Sequence, residues 1–415
     1  MAADIKSSVL ENMQDETQLT HLGNDPEGNR GVINPPTYRA STILSPTLES
    51  FAARDAQKYT GFSYGIDGTQ TNLALKESIA TLEGGTHCLL YSSGLSAVTL
   101  SLTAFLKPGD HLLMVDSVYG PSRNFCNWFL NRIGVEVTYY NPTIGGNIQQ
   151  LFQPNTRVVY MESPGSQTFE IQDVPAIVQA VQTANAAPER SGANSKSPHI
   201  VTMLDNTWAS PLFFKPFDHG VDISIHAGTK YIGGHSDLML GLATTDKEAI
   251  YKKLKDTQRT FGETVAPDVC SLALRGMRTM SVRLQQHQSS ALDIAQWFQE
   301  RPEVKRVLHP GLAGDPGHAL WKRDFKGASG LFGVLLHTDN PKALAAMVDG
   351  LALFGIGASW GGYESLVIPA YVSESRTAVP WQETGALLRF HIGLEAVKDL
   401  KADLAAGFER LNAAL

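Results

Sequence analysis

Four short apolar runs, each stopping at a polar residue, set the architecture open to this chain: HLLMV before Asp116, RVVYM before Glu162, HIVTML before Asp205, and VDISIHAG before Thr229 and Lys230. Continuous runs of this length, rich in β-branched residues, read as strands buried on both faces. Stretches with helical spacing of apolar residues separate them, so residues 67–270 alternate strand and helix. That alternation is the pattern of an α/β protein with a mostly parallel sheet. In such a sheet the ligand crevice lies outside the carboxyl ends of the strands. Four strands therefore deliver polar groups to one edge.

Lys230 is the most informative of those groups. It stands at the end of a buried run, with Gly228 before it and Gly233 and Gly234 after it. An amine pinned there is costly unless chemistry uses it, and pyridoxal phosphate enzymes use a lysine in this setting to hold the cofactor aldehyde as a Schiff base. Small neighbours let ring and phosphate approach the backbone. A lysine titrates near ~10.4 when free, so proton abstraction by this amine requires desolvation or a cationic neighbour to lower its pKa. Asp205, twenty-five positions earlier, supplies the complementary group: a carboxylate against a pyridine nitrogen keeps that nitrogen protonated, and the ring can then accept electrons. Asp205, Asn206 and Thr207 also form good capping chemistry. A third part is the stretch YSSGLSAVTLSLTAFL, in which Ser92 to Leu95 fall at a helix amino terminus, where free N–H groups and the helix dipole favour an anion.

These segments, with SYGIDGTQTNLALKESIATLEGG, PGDHLLMVDSVYGPS, VVYMESPGSQTFEIQDVPAIV, LDNTWASPLFF, SIHAGTKYIGGHSD, LRGMRTMSVRLQQH, SWGGYESL and LLRFHIGLE, occur in order along the chain. Together they resemble the Cys/Met-metabolism family of pyridoxal phosphate enzymes from about Thr20 to the C-terminus. The resemblance implies a fold-type I pyridoxal phosphate-dependent transferase fold: a large domain with a mostly parallel central sheet and a smaller C-terminal α/β domain. The implied organisation is an N-terminal arm over residues 1–66 that contacts a neighbouring subunit, a cofactor-binding domain over 67–270, and the small domain over 271–415. The polar stretch 187–198 reads as a loop insertion without catalytic role.

Carried over residue by residue, the resemblance implies that Lys230 holds pyridoxal 5'-phosphate and acts as base, and that Asp205 pairs with its ring nitrogen. Tyr119 stacks on the ring and assists proton transfer. Gly94, Leu95 and Thr229 hold the phosphate, joined by Tyr64 from the neighbouring subunit. Arg389 grips the substrate carboxylate with its bidentate fork, and Ser359 and Trp360 lie beside the substrate, as does Tyr64. Two departures stand out. Many members have a serine where this chain has Ala227, and the family's Tyr-x-Arg reads Tyr64, Gly65, Ile66 here. A hydrogen bond to a charged group is worth about 1.5–3 kcal/mol, so Arg54, Lys58 or further neutral donors are expected to replace the arginine.

SWGGYES points within the family to the β-lyase branch, which implies α,β-elimination of L-cystathionine to homocysteine, pyruvate and ammonia, in transsulfuration and methionine biosynthesis. Cysteine or S-alkyl cysteines are further expected substrates. A γ-synthase or γ-lyase on the same scaffold shares the cofactor residues, and a non-catalytic relative is a remote alternative. The resemblance also implies a homotetramer built from dimers with shared active sites. A net charge of -7 argues against nucleic-acid or anionic-membrane partners, and no apolar run reaches the ~18 residues of a membrane helix. The N-terminus lacks the pattern of a signal peptide. Cys88, Cys126 and Cys270 are scattered without metal-ligand spacing and read as reduced thiols of a cytoplasmic protein; no metal site is expected.

Overall fold

A computed structural model of the chain describes residue 10, residues 12–190 and residues 197–415. Half of the insertion at 187–198, and residues 1–9 and 11 of the arm, lie outside the described residues.

Strands β1 (His87–Tyr91), β2 (His111–Val115), β3 (Glu136–Tyr140), β4 (Thr156–Glu162), β5 (Val201–Asp205), β6 (Ile223–Ala227) and β7 (Gly241–Thr245) form one sheet in the order β1-β7-β6-β5-β4-β2-β3. All neighbouring pairs from β6 to β3 are parallel, whereas β7 runs antiparallel to both β6 and β1. β1 consequently points the same way as β2, β4, β5 and β6. The four runs singled out from the sequence are β2, β4, β5 and β6, and their residues are almost wholly buried, as strands covered by helices on both faces must be. β7, which reads GLATT, carries too few large apolar residues to announce itself.

Helix α1 (Asp15–His21) buries Leu19 against α2 (Gln70–Glu83) and α5 (Met280–Gln299) of its own chain, so the N-terminal segment is anchored before it extends. α3 (Gly94–Phe105) follows β1 and packs on β6 and β7, and α4 (Glu248–Thr260) packs on α3 and β1. α5 leads to the second sheet, made of β8 (Val304–Leu308), β9 (Leu331–Leu336), β10 (Gly355–Ile356), β11 (Leu366–Pro369) and β12 (Leu387–His391) in the order β10-β11-β12-β9-β8. Its core is separate, with Phe298, Phe332, Phe390 and Phe408 packed among aliphatic residues. The two units meet at Asp116, just after β2. Its carboxylate accepts from Arg123 at 2.6 Å and Arg376 at 3.2 Å, and from the backbone N–H groups of Thr377, Ala378 and Val379 in the loop between β11 and β12. That anchor places strand β12 over the carboxyl edge of the large sheet.

Candidate active site

A cavity of about 450 Å³ lies at that edge. It is lined by Gly94, Leu95, Tyr119, Asp205, Thr229 and Lys230 from the large unit and by Ser359, Trp360 and Arg389 from the small one. Tyr64 lies elsewhere: it is 53% exposed and bridges to Thr42 in the N-terminal segment.

Past the end of β6 the chain turns tightly, with the Lys230 N–H bonded to Ala227 O at 3.0 Å and the Leu240 N–H donating to Thr229 Oγ1 at 2.9 Å. The turn aims the amine into the cavity, where Nζ donates to Ser359 Oγ at 2.7 Å and lies 5.2 Å from the Trp360 ring centre. Burial first, and then the Arg389 guanidinium, bring the Lys230 pKa down to about 8, against the opposing pull of Asp205. The desolvation and cationic neighbour that base work requires are both present.

Asp205 closes β5. Its Oδ1 accepts the Thr207 N–H at 3.0 Å and the Thr207 hydroxyl. Burial raises its pKa, while the Thr207 bonds, His226 and Lys230 act to keep it charged. Asp205 thus closes a turn rather than capping a helix, since the next helix begins at Ser210 with Ala209 before it, and the turn coexists with a position lining the cavity. Tyr119 follows β2, and its backbone N–H donates to Glu162 Oε2 at 2.7 Å. Burial, Glu162 and Asp205 raise the phenol pKa, which keeps the ring neutral.

At the other end of the cavity α3 begins at Gly94. The Ser93 hydroxyl accepts the Ser96 N–H at 3.1 Å, leaving the first N–H groups of the helix without intrahelical acceptors. A Cβ on Gly94 would stand 2.6 Å from the Ala227 Cβ, so glycine is what allows the helix terminus to approach β6. Thr207 Oγ1, which accepts the Ala227 N–H at 2.9 Å, adds a hydroxyl beside this terminus. Lys230 and Arg389 are the cations that line the cavity among the described residues. Arg54 instead lies over the Phe51 ring at 3.6 Å and Lys58 bonds Asp256 at 3.1 Å, so neither replaces the missing arginine within its own chain.

Arg389, on β12, is 6% exposed. Its Nη2 donates to Ala358 O at 2.7 Å and Ser359 O at 3.3 Å, and burial brings its pKa down to about 10. The loop carrying these carbonyls is pressed onto Lys230: Gly361 has φ +88°, and a Cβ there would lie 3.0 Å from the Lys230 carbonyl carbon. An amine, a buried carboxylate, an open helix terminus and a guanidinium surround one space, and this donor set fits a phosphorylated pyridine aldehyde and an amino acid. Thr207 and Glu162 were not given roles from sequence, although each is a polar residue closing or following a buried run.

The sequence profile of the Cys/Met metabolism PLP-dependent enzymes matches residues 16–409. The chain belongs to that family. Among members of the family, the cystathionine beta-lyase of Salmonella typhimurium is 43% identical over 95% of this chain and 98% of its own. The cystathionine beta-lyase of Escherichia coli is 41% identical with the same coverage. The solved cystathionine gamma synthase of Xanthomonas oryzae pv. oryzae, in complex with aminoacrylate and cysteine, superposes with a TM-score of 0.86 at 30% identity, covering 97% of this chain and 100% of that one. The α/β fold and the pyridoxal phosphate dependence expected from the sequence are those of the family.

Proposed function

We propose that the protein is a carbon–sulfur lyase that cleaves the Cβ–S bond of L-cystathionine. The observation that carries the reading is the grouping of Lys230, Ser359 and Arg389: an amine with a pKa of about 8 rests on a serine hydroxyl whose backbone carbonyl is held by a guanidinium. Lys230 would carry pyridoxal 5'-phosphate, Asp205 would pair with its ring nitrogen, and Gly94, Leu95 and Thr229 would hold its phosphate. Bound there, the cofactor takes up the electron pair left when the Cα–H bond breaks.

Arg389 fixes the substrate carboxylate, which orients Cα. Once the substrate amine has displaced it from the cofactor aldehyde, the freed Lys230 amine would receive the Cα proton, steadied by Ser359. Tyr119, held neutral, covers the opposite side and donates a proton to the departing sulfur, so homocysteine leaves as a thiol. The three-carbon fragment leaves as an enamine, which water converts to pyruvate and ammonia. Trp360 walls the cavity beside the amine and excludes water from it.

Tyr64, exposed and remote from its own cavity, completes the phosphate site of a second copy, and Ile66 beside it leaves that contribution without a cation. The arm formed by residues 1–66 is accordingly an intersubunit element, and residues 67–270 and 271–415 are the cofactor and substrate domains of a homotetramer. No helix among the described residues is long and apolar enough to cross a membrane. Cys88, Cys126 and Cys270 are buried and unpaired, which suits a reducing cytoplasm.

Incubation with L-cystathionine and pyridoxal 5'-phosphate tests the reading. Equal yields of pyruvate and homocysteine are expected; 2-oxobutyrate with cysteine would establish γ-cleavage instead.

A further inference from the structure

Glu162 ends β4, Asp205 ends β5, and the two are register partners in parallel strands. Neighbouring strands run about 4.8 Å apart, and both carboxyls line the cavity. Their surroundings differ. Asp205 accepts an N–H and an O–H from Thr207, and Lys230 and His226 act to lower its pKa. Glu162 accepts the Tyr119 backbone N–H at 2.7 Å with Ser166 acting to lower its pKa, and the charged group acting on it is Asp205, of its own sign. The remaining titratable neighbours are the phenols of Tyr119 and Tyr160, while Arg389 acts on Tyr119. Two adjacent carboxylates in a desolvated site cannot both stay ionised, and the proton settles on the one less stabilised as an anion.

We infer that Glu162 is a positioning residue holding the single proton of a Glu162–Asp205 pair, so that it anchors the Tyr119 backbone as a neutral acid and leaves Asp205 the lone carboxylate beside Lys230. Burial and the Asp205 charge push the Glu162 carboxyl well above the usual carboxylate range, in agreement with this assignment. With one oxygen accepting from Tyr119, the proton is held on the other. The consequence reaches Lys230. A second negative charge at this edge would favour the ammonium and raise its pKa, whereas a neutral Glu162 leaves the amine free to act as base. Only that catalytic consequence rests on the β-elimination reading; the charge state of the pair does not.

Infrared spectroscopy of protein labelled with carboxyl-13C glutamate tests the assignment at neutral pH. The expected result is an isotope-shifted carbonyl band of a protonated glutamic acid, absent from Glu162→Gln. Absence of the band in the native protein, or its persistence in the variant, would overturn the inference. A second measurement follows acylation of Lys230 in the cofactor-free protein against pH by mass spectrometry. Half-reaction is expected at about 8 in both the native protein and Glu162→Gln, because the amide copies a neutral acid. A fall of about one unit in the variant, a tenfold gain in free amine, would show that a charged Glu162 had been removed. Should Glu162→Gln fail to fold, Glu162→Asp keeps an acid but removes the band from the glutamate-labelled set. Failure to release pyruvate from L-cystathionine would refute the proposed activity and leave the infrared result standing.

Discussion

Replacing Arg389 separates its three tasks. Its Nη2 holds the carbonyls of Ala358 and Ser359, the rest of the fork is left for a carboxylate, and its charge lowers the Lys230 pKa. Arg389→Lys keeps the charge, but a single ammonium cannot hold the loop and also grip two carboxylate oxygens. The loss is that of one charge-assisted hydrogen bond, about 1.5–3 kcal/mol, or about 10- to 150-fold at ~1.4 kcal/mol per tenfold. The carboxylate is gripped alike before and during bond breaking, so the loss falls on KM and kcat stays within a few-fold. Arg389→Leu removes the charge as well. The Lys230 pKa then rises, and the acid limb of kcat moves to higher pH because the amine, released from the cofactor only once substrate is bound, must be neutral to take a proton. Initial rates of pyruvate release between acid and alkaline pH give both quantities. An unchanged KM in Arg389→Lys, or an acid limb in Arg389→Leu that stays in place or moves down, would refute the reasoning.

Asp116→Asn removes the charge that pairs with the buried Arg123 and Arg376, and breaking such a pair costs about 3–5 kcal/mol; chemical denaturation at neutral pH should show a loss of that order. Burial opposes the charge of Asp116, but the Thr377 and Val379 N–H groups and Arg123 outweigh it and hold the pKa below its ordinary value. Its contribution is therefore present above the ordinary aspartate pKa of ~3.9 and fades as pH falls through the lower native value, so the gap between native and variant stability should narrow only in strong acid. Gly361→Ala places a Cβ against the Lys230 backbone at a positive φ; strain of about 1–3 kcal/mol should lower kcat more than the melting temperature suggests, and unaltered kcat would exclude a positioning role for the loop. Ile66→Arg restores a cation to the segment that carries Tyr64, and equilibrium dialysis should show pyridoxal phosphate bound about tenfold tighter or more; equal affinity would show that the phosphate site does not lack a cation.

The large sheet was legible because β2, β4, β5 and β6 are uninterrupted apolar runs with a polar stop, and a strand covered on both faces can hardly look otherwise. β7 was not, since GLATT packs small residues where α3 comes close. Lys230, Asp205 and Gly94 announced themselves through position in strand–loop–helix units. Glu162 was visible as a strand-end carboxyl, but its isolation from any cation depends on what β5 and the Tyr119 turn bring beside it. The pairing of Lys58 with Asp256 was likewise hidden, because proximity in sequence to Ile66 says nothing about the α4 carboxylate that the fold brings beside it.

The loop Ala358–Gly362 shows why the two units must act as one site. Ser359 receives the amine of Lys230 from the large unit, while its carbonyl is held by Arg389 from the small one. Gly361 lies on the Lys230 backbone and donates its N–H to His391 Nε2 at 3.1 Å. Burial brings the His391 pKa down to about 3, so the ring stays neutral wherever the enzyme is folded. A shift of β12 relative to the large sheet would move the proposed carboxylate grip and the proposed base together, since both hang on five residues of backbone. Proton abstraction demands that the base and Cα keep their separation to within a few tenths of an ångström, and one rigid loop touching both achieves this more directly than two independently placed side chains could.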